Sequence, residues 1–380
     1  MPPIHIDVRH ADDQRDVVHR AVQALAEGHL VAFPTETVYG LAASACHPQG
    51  VERLAAAKGR PASAPFSLAI KCAEEVLDFA PDLDPLAWRL ARRSWPGPVT
   101  LVVDCNSPWS LARQLDPTVR QLVCPAGTVG LRVAASSLLL DVLHMMAGPL
   151  VLTSANKSGQ PDAVTAEEVI EYLGETVALV LDDGPARYGR PSTVVRVESG
   201  KFQILREGVV AESTLDRLSR YMVVLVCTGN TCRSPMAEAM LRKRLADELG
   251  CQPDQVEQHG VIVLSAGLAA SPGSPPSPES AELVAELGLS LADHRSQPLT
   301  DQMLKHADLL LAMTRSHLQA IAQANPDATA KVELLMPDGS DLSDPIGAPM
   351  NVYRDCFQQI DQAVTERARQ IVAMLKSQQS

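Results

Sequence analysis

Apolar and polar positions alternate in two different ways along the chain, and the change falls near residue 209. Before it, amphipathic helical stretches such as Asp12–Glu27 and Val51–Lys58 separate short strand-like runs: HLVAFPT, FSLAIK, PVTLVVD, VGLRVA, GPLVLTS, VALVLDDG, STVVRV and FQILREG. This mixture predicts an α/β domain over residues 1–208 with a twisted, mixed sheet. Residues 209–220 are polar and lack strand character, so we expect a linker there.

Strands and helices alternate more regularly over residues 221–380. MVVLVC, VIVLSAG and ADLLLAMT read as strands; PMAEAMLRKRLADELG, SPESAELVAELG, RSHLQAIAQ and a stretch from about Met350 to Lys376 read as helices. This order predicts βαβ units and a doubly wound parallel sheet. Such sheets bind ligands beyond the carboxyl ends of their strands, where Cys227 is expected. Ser271–Pro278 is rich in Pro and Ser and predicts a surface loop.

Length and charge restrict the kinds of ligand. The 380 residues are 46% apolar, enough for two domain cores, and the formal charge is 33 minus 45, or −12. An acidic chain has no basic field to gather nucleic acid or anionic membrane, so an anionic ligand must be held by local groups. Aromatic residues make up 3% of the chain, too few to predict a stacking platform for single-stranded RNA.

The N-terminal residues lack the pattern of a secretion signal, and no apolar run is long enough to cross a bilayer. We therefore expect a cytoplasmic protein. The eight cysteines form no C-x-x-C pair and the ten histidines form no cluster, so most thiols are expected to be reduced and no protein-built metal site is predicted.

The segment VCTGNTCRSPMAEA carries the strongest chemical signal. A thiol that attacks phosphorus must react as the thiolate, which a helix N-terminus and a nearby cation both stabilise. Residues 228–232 can curl so that their N–H groups face an anion, Ser234 and Pro235 can begin the next helix, and Arg233 can grip phosphate oxygens in a two-pronged manner. No Gly-Lys-Ser/Thr follows Gly229, so this is not a Walker loop.

Residues 221–376 resemble the low-molecular-weight protein phosphatase family in this segment, in SAG, DHRSQPLT and ADLLLAMT, and in DPIG at Asp344–Gly347. The resemblance implies that Cys227 forms a phosphocysteine, Arg233 binds the phosphoryl group, Ser234 steadies the thiolate and Asn230 shapes the loop. It also implies that Asp344 protonates the leaving group and then activates water. On its own, Asp344 before Pro345 would be interpreted as a turn residue.

The substrate of this domain is predicted from Thr231. CTGNTCRS is similar to the protein-arginine phosphatase branch, whereas tyrosine-directed members carry a bulky aliphatic residue at the position of Thr231. Ile346 departs from the aromatic residue that is usual after Asp-Pro, so a tyrosine phosphatase remains an alternative. Arsenate reductase is another alternative, but its disulfide relay needs a downstream cysteine, and none occurs between Cys251 and Cys356. Cys232 could form a reversible disulfide with Cys227, or it could simply pack in the loop.

The first domain has a different set of strand-end motifs: FPTETVYGL, KGRP, PFSLAI, WPGPVTLVV, TVGLRV, TSANKSG, STVVRV and LREG. Several of these strands end in Arg, Lys, Ser or Thr. Such ends would line a concave cationic pocket that suits a polyphosphate. Each motif taken alone is equally consistent with an ordinary polar turn or a solvated surface residue.

Together these motifs resemble the threonylcarbamoyl-AMP synthase family over residues 12–208. The resemblance implies L-threonine, bicarbonate and ATP as substrates, Mg²⁺ carried by the ATP phosphates, and a downstream tRNA threonylcarbamoyl-transfer machinery. It places Thr35, Ser67, Arg132 and Ser192 around threonine, and Lys58, Arg60, Thr128, Ser154, Asn156 and Arg206 around ATP. The alternative is a non-catalytic module that binds nucleotide or RNA.

Overall fold

The computed structural model describes residues 2–59 and 64–378. The chain divides into two compact units, the first ending at Leu218 and the second beginning at Ser219. Within the described ranges, no helix combines the length and the apolar character that crossing a bilayer requires.

The first unit is built on a mixed sheet that has ten strands in the described part of the chain. The strands are β1 Ile4–Asp7, β2 Val31–Phe33, β3 Gly40–Ser44, β4 Ser67–Ala69, β5 Val99–Asp104, β6 Thr128–Arg132, β7 Leu150–Ser154, β8 Leu179–Asp182, β9 Thr193–Glu198 and β10 Lys201–Arg206. Their order is β1-β8-β2-β3-β7-β4-β6-β5-β9-β10, with both parallel and antiparallel pairs. The predicted mixed sheet is confirmed.

Helices cover both faces of this sheet. They are α1 Gln14–Ala26, α2 Pro48–Lys58, α3 Val76–Phe79, α4 Pro85–Ser94, α5 Leu111–Gln114, α6 Pro117–Val123, α7 Ser137–Met145, α8 Ala166–Leu173 and α9 Glu212–Ser219. On β2, Ala32 faces one apolar core while Val31 and Phe33 face the other, since successive side chains of a strand point to opposite faces. Two buried faces explain why the strand is apolar throughout.

The predicted linker, residues 209–220, contains helix α9. Leu215 of this helix is fully buried in the core of the first unit, and Val210 and Leu218 pack against that core. The segment is therefore polar in composition but is fastened to the first unit by a few apolar side chains.

The second unit contains the predicted parallel sheet. Its strands are β11 Tyr221–Cys227, β12 Val261–Gly267, β13 Leu309–Ala312 and β14 Val332–Leu334, in the order β12-β11-β13-β14, and every pair is parallel. Its helices are α10 Arg233–Leu249, α11 Pro278–Glu286, α12 Asp301–His306, α13 Arg315–Ala324 and α14 Met350–Ser377. Short 3₁₀ helices lie at Val8–His10 in the first unit and at Pro253–Gln255 and Pro326–Lys331 in the second.

Strand β11 positions the nucleophile. Val223, Leu225 and Cys227 face one core, and Val224 and Val226 face the other, so the sheet is covered on both sides as a doubly wound fold requires. Cys227 ends this central strand, and helix α10 begins six residues later at Arg233. The sequence thus places a thiol and a helix N-terminus at the ligand-binding edge of the sheet.

Candidate active sites

A cavity of about 350 Å³ opens over the sheet of the first unit. Strand ends and strand faces from β4, β5, β6, β7, β9 and β10 converge on it, together with the β2–β3 loop. Seven of the residues predicted from the sequence line this cavity: Thr35, Ser67, Thr128, Arg132, Ser154, Ser192 and Arg206.

The charged side chains that line the cavity are arginines. Arg132, Arg196 and Arg206 line it, and no Asp or Glu is among the described lining residues. Hydroxyl groups of Thr and Ser supply further polar contacts. Guanidinium and hydroxyl groups around a concave space are suited to a ligand that carries phosphate or carboxylate groups.

Arg132 is the most deeply buried of these cations, with 7% of its surface exposed. Its Nη2 donates to Oε1 of Glu36 at 2.8 Å and to Oγ1 of Thr37 at 3.0 Å, and its Nε donates to the carbonyl oxygen of Gly97 at 3.2 Å. The Glu36 side chain is 8% exposed and also accepts from the N–H of Ala135. Glu36 therefore fixes the guanidinium and balances its charge.

Sequence reasoning missed Glu36, Thr37, Thr100 and Arg196. Glu36 and Thr37 lie inside the quoted FPTETVYGL motif, so the signal was present. Thr100 lies in WPGPVTLVV, and its Oγ1 is 2.9 Å from Oγ of Ser192. Arg206 donates from Nη2 to the carbonyl oxygen of Ser192 at 2.8 Å and to its Oγ at 3.1 Å. Ser192 is thus held from two sides.

Lys58 and the Ser-Ala-Asn turn meet as the sequence predicts. The Lys58 ammonium is buried and donates to the carbonyl oxygen of Ser154 at 2.7 Å, to Oδ1 of Asn156 at 2.9 Å and to the carbonyl oxygen of Asn156. Gly59, with φ of 56°, ends helix α2 directly after Lys58. Arg60 lies outside the described residues. The lysine thus ties the end of α2 to the turn after β7, next to the cavity.

The second unit holds the nucleophile in a tight loop between β11 and α10. The buried Sγ of Cys227 accepts from the backbone N–H of Asn230 at 3.1 Å and lies 2.9 Å from Oγ of Ser234. Arg233, 4% exposed, begins helix α10. Two hydrogen-bond donors and a helix N-terminus therefore surround the sulfur, an arrangement that stabilises a thiolate.

Asn230 holds this loop together. Its Nδ2 donates to Oγ of Ser234 and to Oγ of Ser265, each at 2.9 Å, and its Oδ1 accepts from the N–H of Gln297 at 2.9 Å. Nε2 of His294 donates to its carbonyl oxygen at 2.8 Å. Asn230 is fully buried and has φ of 55°, a left-handed conformation that Asn adopts more easily than most residues.

Gly267 lets the loop approach strand β12 closely. A Cβ atom at this position would lie 2.5 Å from the carbonyl oxygen of Thr228 and 3.0 Å from the backbone nitrogen of Asn230. The quoted SAG and DHRSQPLT motifs thus surround the loop, although the sequence did not indicate what Ser265, Gly267, His294 and Gln297 individually do.

Asp344 lies at the same site. One of its carboxylate oxygens accepts from Nη2 of Arg233, whose Nη1 donates to the carbonyl oxygen of Leu342 at 3.2 Å. The side chain of Asp344 is 40% exposed, in contrast to the buried arginine. The structure therefore brings together Cys227, Ser234, Arg233 and Asp344, as predicted, and leaves the carboxylate open to water.

Thr231 and Cys232 complete the loop. Oγ1 of Thr231 lies 3.6 Å from Sγ of Cys232, which is buried and lies 3.5 Å from the Tyr353 hydroxyl. Burial, above all, raises the pKa of Tyr353 to about 12. Cys227 and Cys232 are both free thiols here, and a disulfide between them stays a prediction.

Two family models match the chain in succession. The one described as "Telomere recombination" matches residues 23–208, and the one described as "Low molecular weight phosphotyrosine protein phosphatase" matches residues 222–380. A putative threonylcarbamoyl-AMP synthase from Mycobacterium leprae is 34% identical over 208 residues, covering 54% of this chain and 89% of that protein. A protein-arginine-phosphatase from Bacillus subtilis is 36% identical over 153 residues, covering 39% of this chain and 95% of that protein.

The two halves of the chain belong to the threonylcarbamoyl-AMP synthase and low-molecular-weight phosphatase families. Both resemblances found in the sequence are thereby confirmed. The chain spans about half the length, 52% and 55%, of two synthases that it also matches, from Pyrococcus abyssi and Bacillus subtilis. The solved structure of a doubly substituted variant of P. abyssi Sua5 aligns with a TM-score of 0.51 at 23% identity, covering 78% of this chain and 99% of that one, which shows a shared fold.

The Arg132–Glu36 pair predicts a large effect on the stability of the synthase-family unit. Glu36→Gln removes the carboxylate and leaves the buried guanidinium without its counterion, so we expect the free energy of unfolding to fall by about 2–4 kcal/mol. All three tryptophans (Trp88, Trp95 and Trp109) lie in this unit, so urea unfolding followed by tryptophan fluorescence reports on it alone.

Glu198→Gln is the matched control for this substitution. Glu198 pairs with Arg196 at 2.9 Å, but its side chain is 67% exposed and that of Arg196 is 43% exposed. Breaking an exposed pair should change the free energy of unfolding by less than about 1 kcal/mol. Equal effects of the two substitutions would contradict the role assigned to Glu36.

Asn230→Ala should lower the free energy of unfolding of the phosphatase-family unit by about 2–4 kcal/mol. The substitution leaves buried partners without hydrogen bonds. It also places at positive φ a residue that has a Cβ atom but no polar side-chain group to form a local hydrogen bond. Hydrogen exchange of the β11 amides measures the change. Asn230→Gly is the matched variant, since it removes the same hydrogen bonds but tolerates the backbone conformation. It should be about 1 kcal/mol less damaging than Asn230→Ala, and a more stable alanine variant would contradict the backbone argument.

Proposed function

We propose that the synthase-family unit condenses L-threonine, bicarbonate and ATP to threonylcarbamoyl-AMP, diphosphate and water. The observation that carries the proposal is the cavity whose charged lining residues are Arg132, Arg196 and Arg206, inside a chain of net charge −12. Bicarbonate, the phosphates of ATP and the carboxylate of threonine all carry negative charge. A site that brings them together must cancel that repulsion locally.

The resemblance to the synthase family divides the predicted site residues into two sets. Thr35, Ser67, Arg132 and Ser192 would hold threonine. Its amino nitrogen forms an N–C bond with the carbon of bicarbonate, a C–O bond breaks and water leaves, which gives a carbamate. The carbamate oxygen then attacks the α-phosphorus of ATP, an O–P bond forms, and the bond to diphosphate breaks. Lys58, Arg60, Thr128, Ser154, Asn156 and Arg206 would hold ATP in line for this attack.

Mg²⁺ would arrive on the ATP phosphates. Across the described residues, no group of three or more His, Cys, Asp or Glu side chains could hold a metal ion. The product would pass to a downstream machinery that transfers the threonylcarbamoyl group to tRNA.

Diphosphate release by the full chain tests the synthase proposal. Release should require threonine, bicarbonate and ATP together, and Arg132→Gln should reduce it at least about tenfold because the carboxylate of threonine loses its buried cation. Arg20→Gln is the control, since Arg20 is an exposed arginine on α1 whose side chain is 57% exposed. Threonine-independent release, or none, would favour the alternative of a binding module for nucleotide or RNA.

We propose that the phosphatase-family unit hydrolyses phosphorylated proteins through a phosphocysteine. The Cys227 sulfur would attack phosphorus while Arg233 and the loop amides hold the phosphoryl oxygens. As the S–P bond forms, the bond to the leaving group breaks and Asp344 gives that group a proton. A water molecule, giving its proton back to Asp344, would then release phosphate from the sulfur. The contacts of Cys227 with Asn230 and Ser234, and of Arg233 with Asp344, support this sequence.

Phosphoarginine is the proposed substrate group. Thr231 makes one wall of the loop small and polar, which suits a guanidinium better than a phenyl ring. The similar B. subtilis protein is named a protein-arginine-phosphatase. Ile346, two residues after Asp344 and 67% exposed, gives the mouth of the site an aliphatic surface instead of an aromatic one.

Competing phosphoarginine and phosphotyrosine peptides on the full chain test this assignment. The ratio of kcat/KM values should favour phosphoarginine, and Thr231→Ile should shift it toward phosphotyrosine by about tenfold because the bulkier side chain narrows the wall and removes the hydroxyl. Thr228→Ser is a conservative loop control. An unchanged ratio in the Thr231→Ile variant would remove the assignment, and Cys227-dependent reduction of arsenate would favour the reductase alternative.

A further inference from the structure

His317 is a buried side chain beside the phosphate loop to which the proposed reaction gives no part. It lies in the first turn of α13 and is 7% exposed. Strand β13 pairs with β11, with Ala312 opposite Val226, so the turn that begins α13 reaches the same edge of the sheet as Cys227. The topology therefore delivers an imidazole next to the nucleophile from a separate element.

Both ring nitrogens of His317 are occupied. Nε2 lies 2.9 Å from Oγ1 of Thr228, the residue that directly follows Cys227, and Nδ1 lies 2.8 Å from Oγ1 of Thr314. Thr314 also accepts from the backbone N–H of His317 at 3.3 Å and so caps the helix. The ring is thus fixed at one nitrogen by its own helix and offers the other nitrogen to the loop.

Thr228 needs an anchor of this kind. It is exposed at the mouth of the loop, and its carbonyl oxygen accepts from the N–H of Ala269 at 2.9 Å. The contact of its Oγ1 with Nε2 of His317 restrains its side chain. A restrained Thr228 side chain limits the backbone freedom of this residue, and so of the peptide unit that joins it to Gly229 at the start of the loop. The N–H groups of the loop are the proposed phosphate ligands.

We infer that His317 is a positioning residue that acts through Thr228 to hold the first peptide of the phosphate loop in its oxyanion-binding orientation, an inference that rests on the proposed phosphatase function. His317 touches neither the phosphoryl group nor the leaving group in this scheme. Its effect is to lower the reorganisation that the loop must undergo when phosphate binds.

The charge of the ring agrees with this role. Burial, and next the Arg233 guanidinium, hold the pKa of His317 below its usual value, while Asp344 and Asp341 oppose that shift. At neutral pH the ring is therefore uncharged. It binds Thr228 as a neutral group and leaves Arg233 as the principal cation of the site.

Inhibition by inorganic phosphate is the most direct measurement, with an aryl phosphate as the reporter substrate and the full chain as the enzyme. His317→Ala should raise the inhibition constant of phosphate by about fivefold and lower kcat/KM by a similar factor, as expected for the loss of one hydrogen bond. His317→Gln, whose amide nitrogen can reach the position of Nε2, should restore most of both values. Ser316→Ala is the matched control, because Ser316 is exposed and bonds Thr314 but not the loop.

Thr228→Val removes the other end of the same hydrogen bond. It should raise the inhibition constant as much as His317→Ala does, and the double variant should be no worse than either single variant. The coupling distinguishes positioning from simple loss of folded protein, since unfolding lowers kcat but leaves the inhibition constant of the folded fraction unchanged. If His317→Ala fails to fold, the comparison of His317→Gln with Thr228→Val tests the same hydrogen bond.

Unchanged phosphate inhibition in His317→Ala, or independent effects that multiply in the double variant, would overturn the inference. The proposed function fails separately. If the unsubstituted chain shows no aryl phosphate hydrolysis that depends on Cys227, the phosphatase proposal is lost. If it shows such hydrolysis and the His317 variants behave like it, only the positioning role is lost.

Discussion

Both sites depend on burying an arginine at the edge of a sheet and keeping it charged. A guanidinium taken out of water is tolerated when carboxylate and carbonyl oxygens take up its hydrogen bonds, and both units use this solution. Arg132 is held by Glu36, Thr37 and the carbonyl oxygen of Gly97, and Arg233 by Asp344 and the carbonyl oxygen of Leu342. The loops and strand ends around each arginine are arranged to keep these partners in place.

The two carboxylates differ in burial, and this difference separates their roles. The Glu36 side chain is 8% exposed and is bonded at both oxygens, so it is a fixed counterion of Arg132. The Asp344 side chain is 40% exposed, so it can bind Arg233 in one state and meet a leaving group or a water molecule in another. An arginine–carboxylate pair therefore stabilises the structure of the first unit, whereas in the second unit the carboxylate of such a pair has a proposed role in acid–base catalysis.

Much of this could be predicted from the sequence, for physical reasons. Apolar runs bounded by turn residues identified β11, β12 and β13, and the nucleophile followed from its place at the end of one of them. Strands β1, β3 and β14 were missed because their sequences, IHID, GLAAS and VEL, have little strand pattern of their own. Glu36, Ser265, Gln297 and His317 were missed individually because their roles come from tertiary contacts, over 35 residues or more in most cases, that no local pattern records.

An acidic chain that binds anions must provide positively charged groups at the binding site, although its overall electrostatic potential is negative. With a net charge of −12, long-range electrostatics oppose the approach of ATP or a phosphoprotein, and salt screens this opposition beyond about 10 Å. Within that distance, anion binding depends on the orientation of a few groups. These are three arginines over the sheet of the first unit, and one arginine with inward-facing amides at the carboxyl edge of the sheet of the second unit. Recognition then rests on how rigidly those groups are held. Asn230 at positive φ, Gly267 at close approach and the Lys58 tie matter as much as the charges that they orient.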